Sequence, residues 1–213
     1  MMKAVIVANG DINDYTFARQ VLSDCIGYDY IVACDGGLRH CHALGIVPDH
    51  IVGDLDSAPM DILKEYQDVP VLKYAPEKDQ TDLELALAFA CEKGVDSVVV
   101  LGGLGGRIDH QLGNVHVLAQ AVKQGIRAEL RDEHTRVRLI DKACQMHKQD
   151  GVLVTLLPLT TTVDGIVTEG LAYPLAEESL SVGFARGVSN KFAGEVATVR
   201  IKKGLLLVIQ TAV

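Results

Sequence analysis

Tryptophan is absent from the 213 residues, and four phenylalanines and six tyrosines are the whole aromatic complement. The interior must therefore be built from aliphatic side chains, and at 48% apolar residues there are enough of them to exclude disorder. No apolar run reaches the ~18 residues of a membrane-spanning helix. Basic residues are scarce: 20 Lys and Arg face 28 Asp and Glu, a net charge of -8. That argues against a nucleic-acid-binding face, which needs positive charge to neutralise phosphates. An acidic chain can still hold a nucleotide when a metal ion or a helix N-terminus supplies the field. The five cysteines are an odd number with no C-x-x-C pair. They read as reduced, mostly core thiols of a cytoplasmic protein. The opening MMKAVIVANG lacks the apolar core and cleavage site of a signal peptide.

What the chain does contain is an alternation. KAVIVA, YIVAC, HIVG, VPVLKY and SVVVLG are short β-branched runs, separated by helical stretches around TFARQVLSD, LRHCHALG, MDILKEYQ, DLELALAFACEKG and HQLGNVHVLAQAVKQG. Apolar strands alternating with helices predict a parallel α/β sheet. Beyond about Asp150 the pattern becomes short strand-like segments broken by Gly, Pro and Asp-Gly turns, which predicts a small all-β, antiparallel domain. The expected boundaries are 1–140 for the α/β part and 141–213 for the β part, with ELRDEHTRVRLIDK bridging them.

Polar clusters follow the strands: Asn9-Gly10, CDGG (Cys34 to Gly37), GDLDS (Gly53 to Ser57), EKDQTD (Glu77 to Asp82) and GGLGGRIDH (Gly102 to His110). The carboxyl ends of parallel strands share one edge of the sheet, so these clusters are expected to meet there. Asp54, Asp56 and Asp82, with Asp35 and Asp79 nearby, form an oxygen-rich set suited to Mg²⁺. The competing reading of Asp54 and Asp56 is that they cap the next helix, with Ser57 as a rival cap. Thr81 and Glu84 form a T-x-x-E capping box, which leaves Lys78 and Asp82 unexplained. GGLGGRIDH is neither a Walker A loop nor G-x-G-x-x-G. Its glycines, Gly103 and Gly105 among them, would let backbone amides approach phosphate, and Arg107 could hold phosphate oxygens bidentately. His40, Cys41 and His42 look like metal ligands on paper, but adjacent helical residues point apart. His110 and His116 are read as packing or solvating their helix, and RGVSNK (Arg186 to Lys191) as a turn.

In this order, CDGG followed by Arg39, then LGIVPDHIVGDLDS, KDQTDLELAL, GGLGGRIDH and a late GVSN, the chain resembles the bacterial thiamine pyrophosphokinase family over nearly its whole length. The resemblance implies a nucleotide-binding α/β domain followed by a thiamine-binding β-sandwich. It implies transfer of a diphosphate from ATP to the thiamine hydroxyl, yielding thiamine diphosphate and AMP with Mg²⁺. Asp54, Asp56 and Asp82 would serve the metal and reaction centre. Asp35, Arg39, Lys78, Arg107 and Asp109 would surround the nucleotide, with Gly36, Gly37, Ser57, Thr81, Gly103 and Gly105 in the same loops. Ser189 and Asn190 would belong to thiamine, in a homodimer whose site is completed across the interface. Some relatives stack an aromatic residue on thiamine; without Trp, either Phe192 or Tyr173 takes that place or nothing does. The alternatives are a diphosphokinase for another alcohol, such as a pterin, and a non-catalytic nucleotide-sensing module.

Overall fold

The computed structural model describes residues 1–24, 28–74 and 79–213; Lys78 and Cys25 lie outside the described residues. The chain forms two units, Met1–Glu133 and His134–Val213.

The first unit is built on six parallel strands: β1 (Lys3–Val7), β2 (Tyr30–Cys34), β3 (His50–Gly53), β4 (Val71–Lys73), β5 (Ser97–Leu101) and β6 (Arg127–Arg131). Their order across the sheet is β6-β5-β1-β2-β3-β4. Five of them coincide with the apolar runs. The sixth, RAELR, matches none of those runs and shares its last three residues with the bridging segment; its charged ends mask a buried Ala128, Glu129 and Leu130. Helices α1 (Tyr15–Asp24), α2 (Leu38–Leu44), α3 (Met60–Glu65), α4 (Asp82–Glu92) and α5 (Ile108–Lys123) connect the strands. Val5, Val7, Ala33, Ile51 and Leu101 of the sheet pack with Leu38 and Cys41 of α2 in one core.

Three aspartates organise the leading edge of this sheet. Asp29, just before β2, accepts from Lys3 N at 2.8 Å, and Asp49, before β3, accepts from Ile31 N at 2.7 Å. Asp96, before β5, accepts from Met2 N at 2.7 Å. Each satisfies an amide of the neighbouring strand that the parallel ladder leaves unpaired. At the opposite edge the topology creates a crevice. The chain steps outward from β1 to β4 and then returns to place β5 on the other side of β1, so the loops after β1 and β5 diverge from a switch point.

The second unit is antiparallel. One sheet runs β12 (Asn190–Lys191), β9 (Val152–Pro158), β14 (Leu206–Ala212), β7 (Thr135–Ile140); the other runs β11 (Ala176–Ser181), β10 (Thr162–Glu169), β13 (Val196–Arg200), β8 (Ala143–His147). Alternate residues from both, including Val154, Leu156 and Val208 from the first and Val163, Ile166 and Val199 from the second, share one apolar core. Among the described residues no helix is long and apolar enough to cross a membrane.

Candidate active site

The carboxyl-edge loops of the first unit enclose a cavity of about 510 Å³. Ala8, Asn9, Gly10 and Asp11 come from the loop after β1, Cys34 and Asp35 from β2 and the turn beyond it, and Asp54, Asp56 and Ser57 from the loop after β3. Thr81, Asp82 and Leu83 open α4, and Gly102, Gly105, Gly106 and Arg107 precede α5, which adds His110 and Asn114.

The acids are brought together by local backbone features. Asp35 begins a 3₁₀ turn, Asp35–Gly37, with φ 42°, and Leu55 between Asp54 and Asp56 has φ 67°. Left-handed backbone at non-glycine residues is costly and collects at functional sites. At Leu55 it turns the chain so that the two flanking aspartates face the same place. Asp56 N also donates to Asp54 Oδ1 at 3.2 Å, and Ser57 Oγ donates to Asp56 Oδ1 at 3.0 Å. The outcome is a cluster in which carboxylate oxygens of Asp35, Asp54 and Asp56 lie within 4.8 Å of one another. Asp82 stands beside them. Gly53 has φ 145°, and a Cβ on it would lie 3.0 Å from Asp35 Cβ and 3.2 Å from Asp82 Oδ1. The missing side chain of Gly53 is what lets Asp35 and Asp82 close in from two loops.

Asp35 is 4% exposed and its Oδ1 is buried without a hydrogen-bond partner. Burial pushes its carboxyl above the usual carboxylate range; a Ser57 bond and the Gly36 amide pull it back, and the charges of Asp82 and Asp56 push it up further. A buried anionic oxygen with no donor is expensive unless a cation serves it. Three converging carboxylates with such an atom among them fit a hard divalent cation such as Mg²⁺, which takes oxygen ligands.

The other expected residues take varied positions. Gly36 and Gly37 do not line the cavity; they are packing glycines, whose Cβ atoms would collide with the Asn9 side chain and with Val7 O. Arg39 spends its guanidinium on Asn9 O, 2.7 Å from Nη2. Thr81 and Glu84 form the reciprocal capping box: Thr81 N donates to Glu84 Oε2 at 2.7 Å and Glu84 N to Thr81 Oγ1 at 3.3 Å. Gly103 is buried behind the loop, its carbonyl held by Asn114 Nδ2 at 2.9 Å, whereas Gly105 reaches the cavity. Arg107 and Asp109 form a two-pronged pair, Nε–Oδ1 3.1 Å and Nη2–Oδ2 2.5 Å. That pairing raises the Arg107 guanidinium and holds the Asp109 carboxyl down to about 2.

In the second unit Ser189 is exposed with φ 61°. Asn190 is buried and its carboxamide is committed: Tyr173 N and Lys191 N donate to Oδ1, and Nδ2 donates to Tyr173 O. Phe192 packs on the sandwich core, while the Tyr173 side chain is exposed.

Sequence reasoning passed over Asp11 and Asn114, and read His110 as packing or solvating its helix; the structure puts all three on the cavity wall. His110 and Asn114 carry the one available signal, an i, i+4 spacing on the helix that follows the glycine loop. Asp11 carries none beyond its place after the first strand. Of the supposed ligands on α2, Cys41 is fully buried with its thiol pushed up to about 12 by burial, and His42 is exposed near Glu65.

Comparison with known proteins gives a consistent result. The family profile "Thiamin pyrophosphokinase, catalytic domain" matches residues 24–130, and "Thiamin pyrophosphokinase, vitamin B1 binding domain" matches residues 140–206. Thiamine pyrophosphokinase of Bacillus subtilis (strain 168) is 30% identical over 99% of this chain and 99% of its own. The crystal structure of the Bacillus subtilis thiamine pyrophosphokinase superimposes with a TM-score of 0.87 at 26% identity, covering 99% of each chain. That of thiamin pyrophosphokinase from Geobacillus thermodenitrificans gives 0.85 at 26% identity, covering 100% of this chain and 98% of the other.

Proposed function

This chain belongs to the thiamin pyrophosphokinase family, and from that premise we propose that the cavity of the first unit is its reaction centre. The enzyme transfers a diphosphate group from ATP to the hydroxyl of thiamine, giving thiamine diphosphate and AMP. The acceptor oxygen bonds to the β-phosphorus, the bond from that phosphorus to the α,β-bridging oxygen breaks, AMP leaves with the electron pair, and the hydroxyl proton is released.

The observation that carries the site is the unpartnered, buried Asp35 oxygen beside Asp54 and Asp56 in a cavity whose opposite wall is a glycine loop. Asp35, Asp54 and Asp56, with Asp82 adjoining, would hold Mg²⁺, which when bound neutralises phosphate charge and polarises the phosphoryl oxygens. The chain's own groups position and stabilise. Arg107, at the mouth and already aimed by Asp109, neutralises charge developing on the phosphates. Amides of the Gly102–Gly106 loop provide fixed donors next to the N-terminus of α5. The second unit carries the thiamine surface, with Ser189 at its exposed loop and Tyr173 as the accessible aromatic; Phe192 is already occupied by the core. The protein works as a homodimer in the cytoplasm, with the Ser189 loop completing a site on the partner; the exposed Val182, Phe184 and Val188 around that loop support this reading.

The decisive experiment incubates the protein with ATP, Mg²⁺ and thiamine and looks for AMP and thiamine diphosphate in equal amounts. Asp56→Asn is expected to cut turnover at least ~100-fold, as removal of an electrostatic group commonly does. Near-normal turnover of Asp56→Asn at saturating Mg²⁺ would remove the metal assignment.

A further inference from the structure

Behind the cavity, two consecutive side chains of α2 hold two consecutive backbone carbonyls. Arg39 takes Asn9 O, and His40 Nε2 bonds Gly10 O at 2.8 Å. His40 is 3% exposed, and its Nδ1 bonds the Tyr15 hydroxyl at 2.7 Å. A carbonyl can only accept, so the ring proton sits on Nε2 and the Tyr15 hydroxyl donates to Nδ1. One neutral tautomer satisfies both partners. The 3.3 Å approach of Arg39 Nε to the same nitrogen is then a flanking contact between two donors.

The carbonyls held this way belong to the Ala8–Asp11 segment that lines the cavity. Its other side is fixed to the glycine loop: Gly10 N donates to Gly102 O at 2.9 Å and Ala8 N to Leu101 O at 2.8 Å. The two segments touch so closely that a Cβ on Gly102, where φ is 67°, would lie 2.5 Å from Ala8 O. Without His40 the segment would be held from the glycine-loop side and by Arg39, with the half-buried Gly10 O left without its side-chain donor.

We propose that His40 is a positioning residue for the nucleotide: it clamps Gly10 against the glycine loop, so that this wall is formed before ATP arrives. The inference rests on the cavity being the ATP site. It implies a selective defect. His40→Leu raises the KM for ATP about tenfold, on the scale of one buried hydrogen bond lost, while kcat and the KM for thiamine stay within about twofold. In substrate-free protein the Gly10 amide exchanges with solvent faster by a similar factor. His40→Gln, whose side-chain amide can donate to the same carbonyl, restores both.

A folded His40→Leu variant with an unchanged KM for ATP and a protected Gly10 amide overturns the proposal, as does a parallel rise in the KM for both substrates. Should His40→Leu not fold, Tyr15→Phe decides: loss of the hydroxyl that fixes the tautomer raises the KM for ATP several-fold, and an unchanged value overturns the clamp. The exchange measurement needs no turnover. Wild-type protein that releases no AMP from ATP and thiamine would defeat the reaction assignment and leave the Gly10 result readable.

Discussion

Asp35 and His40 are both buried ionisable groups that burial favours as neutral, so pH acts on their contributions to stability in opposite directions. His40 is held below its ordinary value of 6.5 by burial first and the Arg39 charge second, against the opposing pull of the Gly10 carbonyl and Asp11. Its contribution is therefore complete above about pH 6.5 and is lost as pH falls towards the lower folded value. His40→Gln should flatten the pH dependence of Tm on the acid side of 6.5; an unaltered profile would contradict the buried neutral ring. Asp35, raised above its ordinary 3.8, costs nothing while protonated in both states, and costs stability as pH rises from 3.8 through the folded value. Asp35→Asn, at a left-handed position that Asn tolerates, should raise Tm by ~2–4 °C in metal-free neutral buffer, about 1 kcal/mol, while reducing turnover ~100-fold. A fall in Tm would show that the carboxylate is not strained. The sequence marked Asp35 as an acid at a strand end, but its orphan oxygen depends on how four loops close over it. His40 was legible only as a helix residue, because its partners lie about thirty positions away, in Gly10 and Tyr15.

The loops that build the site are decided by backbone requirements at particular positions. Gly53→Ala meets an unfavourable φ of 145° and a Cβ 3.0 Å from Asp35. It should lower the urea unfolding free energy by ~1–3 kcal/mol and depress turnover together. Stability kept with activity lost would mean that the acids move apart without resistance. Thr81→Ala breaks the capping box at the start of α4 and should cost ~1 kcal/mol by the same measurement. That box, the five apolar strands and the helices between them were readable because each depends on a local pattern of period or spacing. Strand β6 was not, since RAELR borrows its burial from β5 and α5 beside it. The resemblance set Gly36 and Gly37 in a loop around the nucleotide; packing alone already asks for glycine there, since Asn9 and Val7 lie against them.

At the scale of the molecule, every residue lining the cavity belongs to Met1–Glu133, whereas the Ser189 loop belongs to His134–Val213. If a homodimer shares its sites as proposed, an Asp56→Asn protein and a Ser189→Glu protein, each inactive alone, should recover roughly a quarter of wild-type turnover when mixed after subunit exchange, because half the dimers are mixed and each has one intact site. No recovery despite exchange would place both halves of a site on one chain. The composition had foretold the change from alternating helix and strand to pure strand, since apolar spacing differs between the two regimes. If the cavity is the ATP site as proposed, the carboxylate cluster would also act as a gatekeeper for the incoming triphosphate. Where no cation already sits among them, free ATP would bring its own negative charge against Asp35, Asp54 and Asp56, so the chelated form would be favoured. Surplus bare nucleotide should then be ignored by the enzyme rather than block it, which ties its rate in the cell to the ratio of magnesium to nucleotide.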